Sequence, residues 1–324
     1  MRKKTKHPSD DVNDDMASGI IIKGKSKVNT ESNNDLATGF EKQPDDEKPE
    51  EPVIEKEIIN ELKQEEKSEA PYIKPASIVI PYVNSTALGD ELKYAVRSIA
   101  LNAGFPFKLF IVADRLPDWA SDELLLIEAK QVVGQKYAKA FDAVEKLKAA
   151  VADERVDDSF IYSYDDTVFL SKVALFDFLN VAVAQLSSPE KIRAMKSGST
   201  IWKEVLSNTF ERLKANKLPT FNYETHLPRL FEKKRISTII KKFGFQRRPY
   251  LFSTIYFNYF NPQPEFLLNG LQLYKADIRE PLAIRQIEEV TKGKLFLNYN
   301  DKGLNVNLKE FLSEKFPEKS RFEK

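Results

Sequence analysis

The chain has 324 residues, with 50 Lys and Arg against 49 Asp and Glu and a formal net charge of +1, so the overall balance makes no case for nucleic acid or an acidic membrane surface as partner. It has no cysteine, which excludes disulfides, a thiol nucleophile and thiolate-bound zinc. No apolar run reaches the ~18 residues of a membrane span, and the basic start MRKKTKHPSDD has no apolar segment behind it as a secretory signal would, so a cytoplasmic location is expected.

Residues 1–70 contain a single aromatic, Phe40, and twelve basic against eighteen acidic residues, a net of −6. Such a segment cannot bury enough apolar surface to offset its ordering entropy, and disorder is expected. The remainder of the chain carries +7, a mildly basic body that would suit an anionic phosphate ligand or present a solvated Lys-rich surface. Within the tail, Val53, Ile54, Ile58, Ile59 and Leu62 recur at helical spacing among glutamates and lysines. That pattern predicts a short helix able to dock on the body or on a protein partner.

The folded part is expected from residue 75. Residues 77–82 (SIVIPY) read as a strand, with Asn84, Ser85 and Gly89 in the loop behind it. From Asp90, the residues Leu92, Ala95, Val96, Ile99 and Ala100 share one face, which predicts a helix to about Asn102. Residues 107–112 (FKLFIV) form the next strand, ending toward Asp114. After Trp119 the composition predicts an acidic, Leu-rich helix, then a short strand at 131–133, then a helix over 136–151 with Ala140, Phe141, Val144, Leu147 and Val151 on its apolar side. Strands alternating with helices imply an α/β fold with a mostly parallel sheet and flanking helices.

The stretch SFIYSYDDTVFL, residues 159–170, reads as one buried strand whose end carries Asp165 and Asp166. Ligands of open α/β sheets bind outside the carboxyl ends of the strands, so this pair is a candidate site for Mg²⁺ or Mn²⁺. The competing reading is an Asp-Asp turn between two strands. Beyond it the pattern predicts helices at 173–186, 201–213 and 229–243, and an aromatic belt at 250–260 that reads more readily as core than as a platform for bases. The Gly-rich loops of the P-loop and dinucleotide fingerprints are missing. The expected organisation is therefore a tail (1–70) and one domain (75–324), its α/β half at 75–172 and a mainly helical half at 173–324.

The run DELKYAVRSIALNAGFPFKLFIVADRLPDWAS followed by FIYSYDDTVFL resembles the second conserved block of the Stealth family of hexose-1-phosphate transferases. The segments THLPRLFEKKRISTIIKKFGFQRRPYLFSTIYFNYF, and NYNDKG with FPEKSRFEK, look like its third and fourth blocks, in the right order. The chain departs from the family where Asn84 stands in place of the aspartate of a Trp-Val-Asp-Gly, and where Tyr164 replaces the first Asn of an Asn-Asp-Asp.

The resemblance implies a nucleotide-sugar-binding core of the glycosyltransferase-A type. It implies metal-dependent transfer of a sugar-1-phosphate from a nucleotide-diphosphate sugar to a carbohydrate hydroxyl. In that reading Asp165 and Asp166 hold the metal, and His226, in a Thr-His-Leu-Pro loop, is a catalytic base or phosphate contact, with a packed or surface histidine as the alternative. Arg247 or Arg248 clamps phosphate where the family keeps an arginine, or is solvated surface. Asp114 and Asn84 reach the nucleotide, with a helix cap as the alternative for Asp114, and Arg97 and Lys139 face the diphosphate. Asn300 and Asp301 bind acceptor or a second ion, or form a turn. Two rivals remain: transfer of the sugar itself with release of a nucleoside diphosphate, and a non-catalytic protein that keeps the fold.

Overall fold

The computed structural model describes residues 76–84, 89–178, 185–186, 200–260 and 274–324. The tail and its apolar repeat at 53–62 lie outside the described residues. Strand β1 (Ala76–Pro81) buries four consecutive residues, Ser77 to Ile80, as a strand covered on both faces does. Helix α1 (Glu91–Asn102) follows, then β2 (Phe107–Ala113), β3 (Leu125–Glu128), α2 (Ala138–Ala152) and β4 (Ser159–Tyr162). Short β5 (Thr167–Phe169) and β6 (Gln185–Leu186) precede α3 (Thr200–Ala215), β7 (Phe221–Asn222) and β8 (Arg229–Glu232). The chain continues through α4 (Lys233–Phe243), α5 (Phe252–Phe260), β9 (Lys275–Ile278), α6 (Ile284–Thr291), β10 (Phe296–Tyr299) and α7 (Val306–Lys315).

Five strands form the main sheet in the order β3-β2-β1-β4-β8, parallel except for β8, which runs against β4. Period-two alternation divides its side chains between two cores. Val79, Phe110, Val112, Phe160 and Tyr162 pack with α2, α3, α4 and α5, while Ile78, Ile80, Leu109, Ile111 and Ile161 pack with Leu92, Val96 and Ile99 of α1. A second sheet, β5-β10-β9, joins antiparallel β5 to a parallel β10–β9 pair. Its Val168, Leu297 and Ile278 share a third core with Ile287 of α6 and Leu308 and Leu312 of α7.

The fold class is the α/β arrangement expected, with four local corrections. The Leu-rich run after Trp119 is strand β3 and not a helix, and 131–133 is irregular. Four apolar residues in a row satisfy either period, and parallel pairing with β2 decides between them. The segment 159–170 is two strands in two sheets. The helix expected at 173–186 is, where described, a 3₁₀ turn at Leu175–Phe178 and strand β6. The first four residues of the helix expected at 229–243 are β8, because alternating Arg229 and Phe231 are buried against the sheet before the basic run of α4 begins. The half expected to be mainly helical thus contributes strands to both sheets.

The aromatic belt is core: Phe231 lies 4.7 Å from the ring of Tyr256 and 5.4 Å from that of Phe252. The C-terminal segment is sewn onto the α1 side of the main sheet. Phe322 is 1% exposed, Ser121 N donates to its carbonyl at 2.9 Å, and Lys324 N donates to Trp119 O at 2.9 Å. Truncating a fully buried aromatic leaves a void the surroundings only partly fill, so Phe322→Ala is expected to cost about 3–5 kcal/mol in urea denaturation. A loss below about 1 kcal/mol would show the segment to be dispensable to the core.

Candidate active site

The chain runs outward from β1 to β2 and β3, then returns to lay β4 on the other side of β1. This reversal makes the carboxyl ends of β1 and β4 the topological switch point, the place where open α/β sheets receive ligands. Ser163 N closes the β4 end by donating to Val79 O at 2.9 Å. Asn84, after β1, donates through Nδ2 to Asp114 Oδ1 at 2.8 Å and to Arg115 O at 2.9 Å. The Asn84 hydrogen bond holds the Asp114 carboxyl below its ordinary range.

Asp165 and Asp166 occupy the turn between β4 and β5, so the strand-end and turn readings describe the same residues. Burial, followed by the charges of Asp166 and Glu91, pushes the Asp165 carboxyl up to about 8. Burial and Asp165 together push the Tyr82 hydroxyl up to about 12. Glu91 Oε2, Ser163 Oγ and Tyr299 Oη are buried without a hydrogen-bond partner. Crowded carboxylates of this kind fit a divalent cation, which would relieve their repulsion. Among the described residues no three His, Asp or Glu converge as a metal cluster. Two carboxylates, with water and ligand oxygens completing the shell, match the habits of Mg²⁺ and, as an oxygen-seeking ion, Mn²⁺.

His226 reaches the same place from the loop before β8. Its Nδ1 is 3.9 Å from Asp166 Oδ2, an electrostatic contact longer than a hydrogen bond, and Nδ1 is buried without a hydrogen-bond partner. The residue sits in the left-handed region at φ 50°, a conformation that costs a non-glycine residue about 1–2 kcal/mol and recurs at functional sites. Its ring stacks on Tyr164 at 4.9 Å and 9° between planes, so the tyrosine that departs from the Asn-Asp-Asp pattern serves as a platform for the imidazole. Burial, with Arg279, Lys275 and Arg229 adding to it, holds the imidazole well below its ordinary value and hence neutral near pH 7.

These three cations and their partners went unremarked in the sequence. Arg229 is 3% exposed and lies 4.8 Å from the ring centre of Phe257. Lys275 donates to Thr225 O and pairs with Asp277 at 2.9 Å. Arg279 Nη2 donates to Asp277 Oδ1 and Asn298 Oδ1, both at 2.7 Å, and Asn298 Nδ2 donates to Asp166 Oδ1 at 2.9 Å. Thr167, Asn298 and Asp277 stand in one row across the second sheet. The signal was present in KADIR, three charges at alternate positions, which is how a strand with one charged face reads.

Other expected site residues are placed elsewhere. Arg97 does not serve a diphosphate: its guanidinium grips Glu323, with Nε to Oε1 and Nη2 to Oε2 both at 2.9 Å, and donates to Phe316 O at 2.9 Å. Arg248, between α4 and α5, is exposed and reaches α3, bound to Asn208 and to Glu211 at 3.0 Å, and Arg247 beside it is exposed. The Arg97 fork is committed to a nearly buried Glu323, whereas the Arg248 pair with Glu211 is half exposed on both sides. Lys139 is exposed at the start of α2. Asn300 Oδ1 accepts from Gly303 N at 2.9 Å, and Asp301 lies in the same turn, which leads from β10 toward α7. A Cβ on Gly303 would lie 2.2 Å from Ile278 O, so only glycine permits this close approach.

The fold and the site define a class: a mixed α/β protein with a mostly parallel sheet flanked by helices, holding an acidic pair and a neutral histidine at the switch point of the sheet. No protein-family model and no curated protein sequence matches the chain. Among solved structures it is similar to the glycosyltransferase GlyE of Streptococcus pneumoniae TIGR4, at 15% identity and a TM-score of 0.35 over 75% of this chain, and it spans 60% of the length of that protein. It is also similar to a glycosyltransferase involved in the glycosylation of the major capsid of PBCV-1, at 11% identity and a TM-score of 0.36, covering 74% of this chain and 100% of that one.

Proposed function

We propose that the chain is a transferase that moves a sugar-1-phosphate from a nucleotide-diphosphate sugar to a carbohydrate hydroxyl, the reaction implied by the resemblance to the Stealth blocks. The observation that carries this reading is a neutral histidine 3.9 Å from one of two crowded aspartates at the switch point of the sheet. In the proposed arrangement Asp165 and Asp166 hold Mg²⁺ or Mn²⁺, which when bound would neutralise diphosphate charge. The acceptor hydroxyl gives its proton to neutral His226. Its oxygen forms a bond to the phosphorus that carries the sugar, the bridging P–O bond of the diphosphate breaks, and a nucleoside monophosphate leaves. Asp166 stabilises the imidazolium that forms, and Tyr164 fixes the ring plane.

Arg229, Lys275 and Arg279 lie near the base and suit the charge that spreads over phosphoryl oxygens. Incubation with a panel of nucleotide sugars and Mn²⁺, with the released nucleotide identified by mass, tests the proposal. A monophosphate is expected. A diphosphate would establish sugar transfer instead, and no release from any donor, with no donor-induced rise in Tm, would remove the enzyme reading.

A further inference from the structure

The loop that carries His226 is gripped at the residue before it. Thr225, buried, accepts at its hydroxyl from Arg229 Nη2 and at its carbonyl from Lys275 Nζ. Arg229 opens β8 in the main sheet and Lys275 opens β9 in the second, so the two sheets meet on Thr225. A buried ammonium is costly unless it is paired and hydrogen-bonded. The Lys275 side chain, 1% exposed, meets both demands through Thr225 O and through Asp277 Oδ2 at 2.9 Å.

Asp277 uses its other oxygen, Oδ1, to accept from Arg279 Nη2 at 2.7 Å. The same Nη2 donates to Asn298 Oδ1 at 2.7 Å, and Asn298 Nδ2 donates to Asp166 Oδ1 at 2.9 Å. One carboxylate thus joins two arms, the first running through Lys275 to Thr225 and the second through Arg279 and Asn298 to Asp166. Alternate residues of β9 share a face and Asn298 stands opposite Asp277 in β10, which is why the strand register can build both arms from one row. The arms end beside His226 and on Asp166, the two groups whose side chains stand 3.9 Å apart. A non-glycine residue keeps a φ of 50° only where its surroundings fix it, and two buried cations on the preceding residue do so.

We propose that Lys275 and Asp277 are positioning residues: through Thr225 they hold His226 in its left-handed conformation, and through Arg279 and Asn298 they set its place against Asp166. The clamp itself does not depend on the reaction, whereas its effect on turnover rests on the function proposed above. There it keeps the imidazole aligned with the acceptor hydroxyl, where a displacement of ~1 Å can cost about 10²-fold in rate.

The chain has two histidines, His226 and His7, so full-length protein carrying ¹³C,¹⁵N-histidine gives one set of backbone signals for the loop and one internal control. Backbone ¹³Cα and ¹³Cβ shifts follow φ and ψ. Lys275→Met is expected to move the His226 signals away from their left-handed values and to leave His7 unchanged; Lys275→Arg, which keeps a buried cationic donor, should move them less. Asp277→Asn should move them in the same direction as Lys275→Met, at a side chain 32% exposed where loss of the whole fold is not at stake. Ile287→Ala opens a void in the core of the second sheet without touching the clamp, and should lower Tm with His226 unmoved. Unmoved signals in both Lys275→Met and Asp277→Asn, or an equal movement in Ile287→Ala, would overturn the clamp.

In steady-state assays Lys275→Met should lower kcat by about 10- to 100-fold and leave the donor KM within about twofold, with Lys275→Arg recovering part of the loss. A rise in KM with kcat unchanged would make Lys275 a binding residue and overturn its positioning role. The histidine signals are read without donor or metal. A silent transfer assay with moved signals would therefore remove the enzyme reading and keep the clamp, and an active enzyme with unmoved signals would do the opposite.

Discussion

His226→Ala is expected to fold and to turn over 10²- to 10⁴-fold more slowly, the range a positioned general base contributes. The imidazole is neutral near pH 7 because burial and the neighbouring cations hold it well below the usual histidine value. With Mg²⁺ or Mn²⁺ saturating, so that Asp165 is ionised, the wild-type rate should therefore stay level as pH falls to about 6.5, the ordinary histidine value, and decline only below it. Because position 226 sits at φ 50°, His226→Gly should lose as much activity as the alanine variant while gaining about 1 kcal/mol in stability relative to it. Steady-state kinetics paired with urea melts of both variants check the two statements together. A variant retaining more than about a tenth of the wild-type rate would remove His226 from the chemistry.

Asp165→Asn is expected to abolish turnover and raise stability, the combination that marks a strained functional group. Asp165 has its carboxyl pushed up from 3.8 to about 8 in the folded state, so folding favours its protonated form. That contribution is fully present below pH 3.8 and is lost as pH rises through about 8. The wild type should thus lose stability between those limits, while the variant, which has no charge to bury, should be flatter. At pH 8 a gain of about 1–3 kcal/mol, or about 3–10 °C in Tm, is expected. Millimolar Mg²⁺ or Mn²⁺ should recover much of that difference in the wild type and little in the variant, and chelation should reverse it. A lower Tm for the variant at pH 8, without metal, would show that the carboxylate is stabilised where it stands.

The acid pair and the histidine could be singled out because their local surroundings are distinctive: two adjacent carboxylates behind an aromatic, β-branched strand, and a histidine in a loop before a basic run. Their meeting at 3.9 Å could not be read locally, since β8 must first pair against β4 to bring His226 to the end of the sheet. The arginines show the reverse case. Arg97, Arg247 and Arg248 have the chemistry to bind phosphate, but nothing near them in sequence announces that Arg97 is met by Glu323 and Arg248 by Glu211. Arg229 and Arg279, which do surround His226, have equally ordinary neighbours along the chain.

What the amino-acid order decides by itself is whatever depends on short-range periodicity. Strands β1 and β2, helices α1, α2 and α3, and the α/β class follow from apolar residues recurring at two or at three to four positions. Tertiary structure alone decides that Leu125–Glu128 is a strand, because pairing with β2 outweighs a pattern that suits both states. It also decides that the chain leaves one sheet for another between Tyr162 and Thr167, and that Lys275, Asp277, Arg279 and Asn298 converge on Asp166. The reason is that a charge acquires its role from the groups within a few ångströms of it, and those groups come from distant parts of the chain.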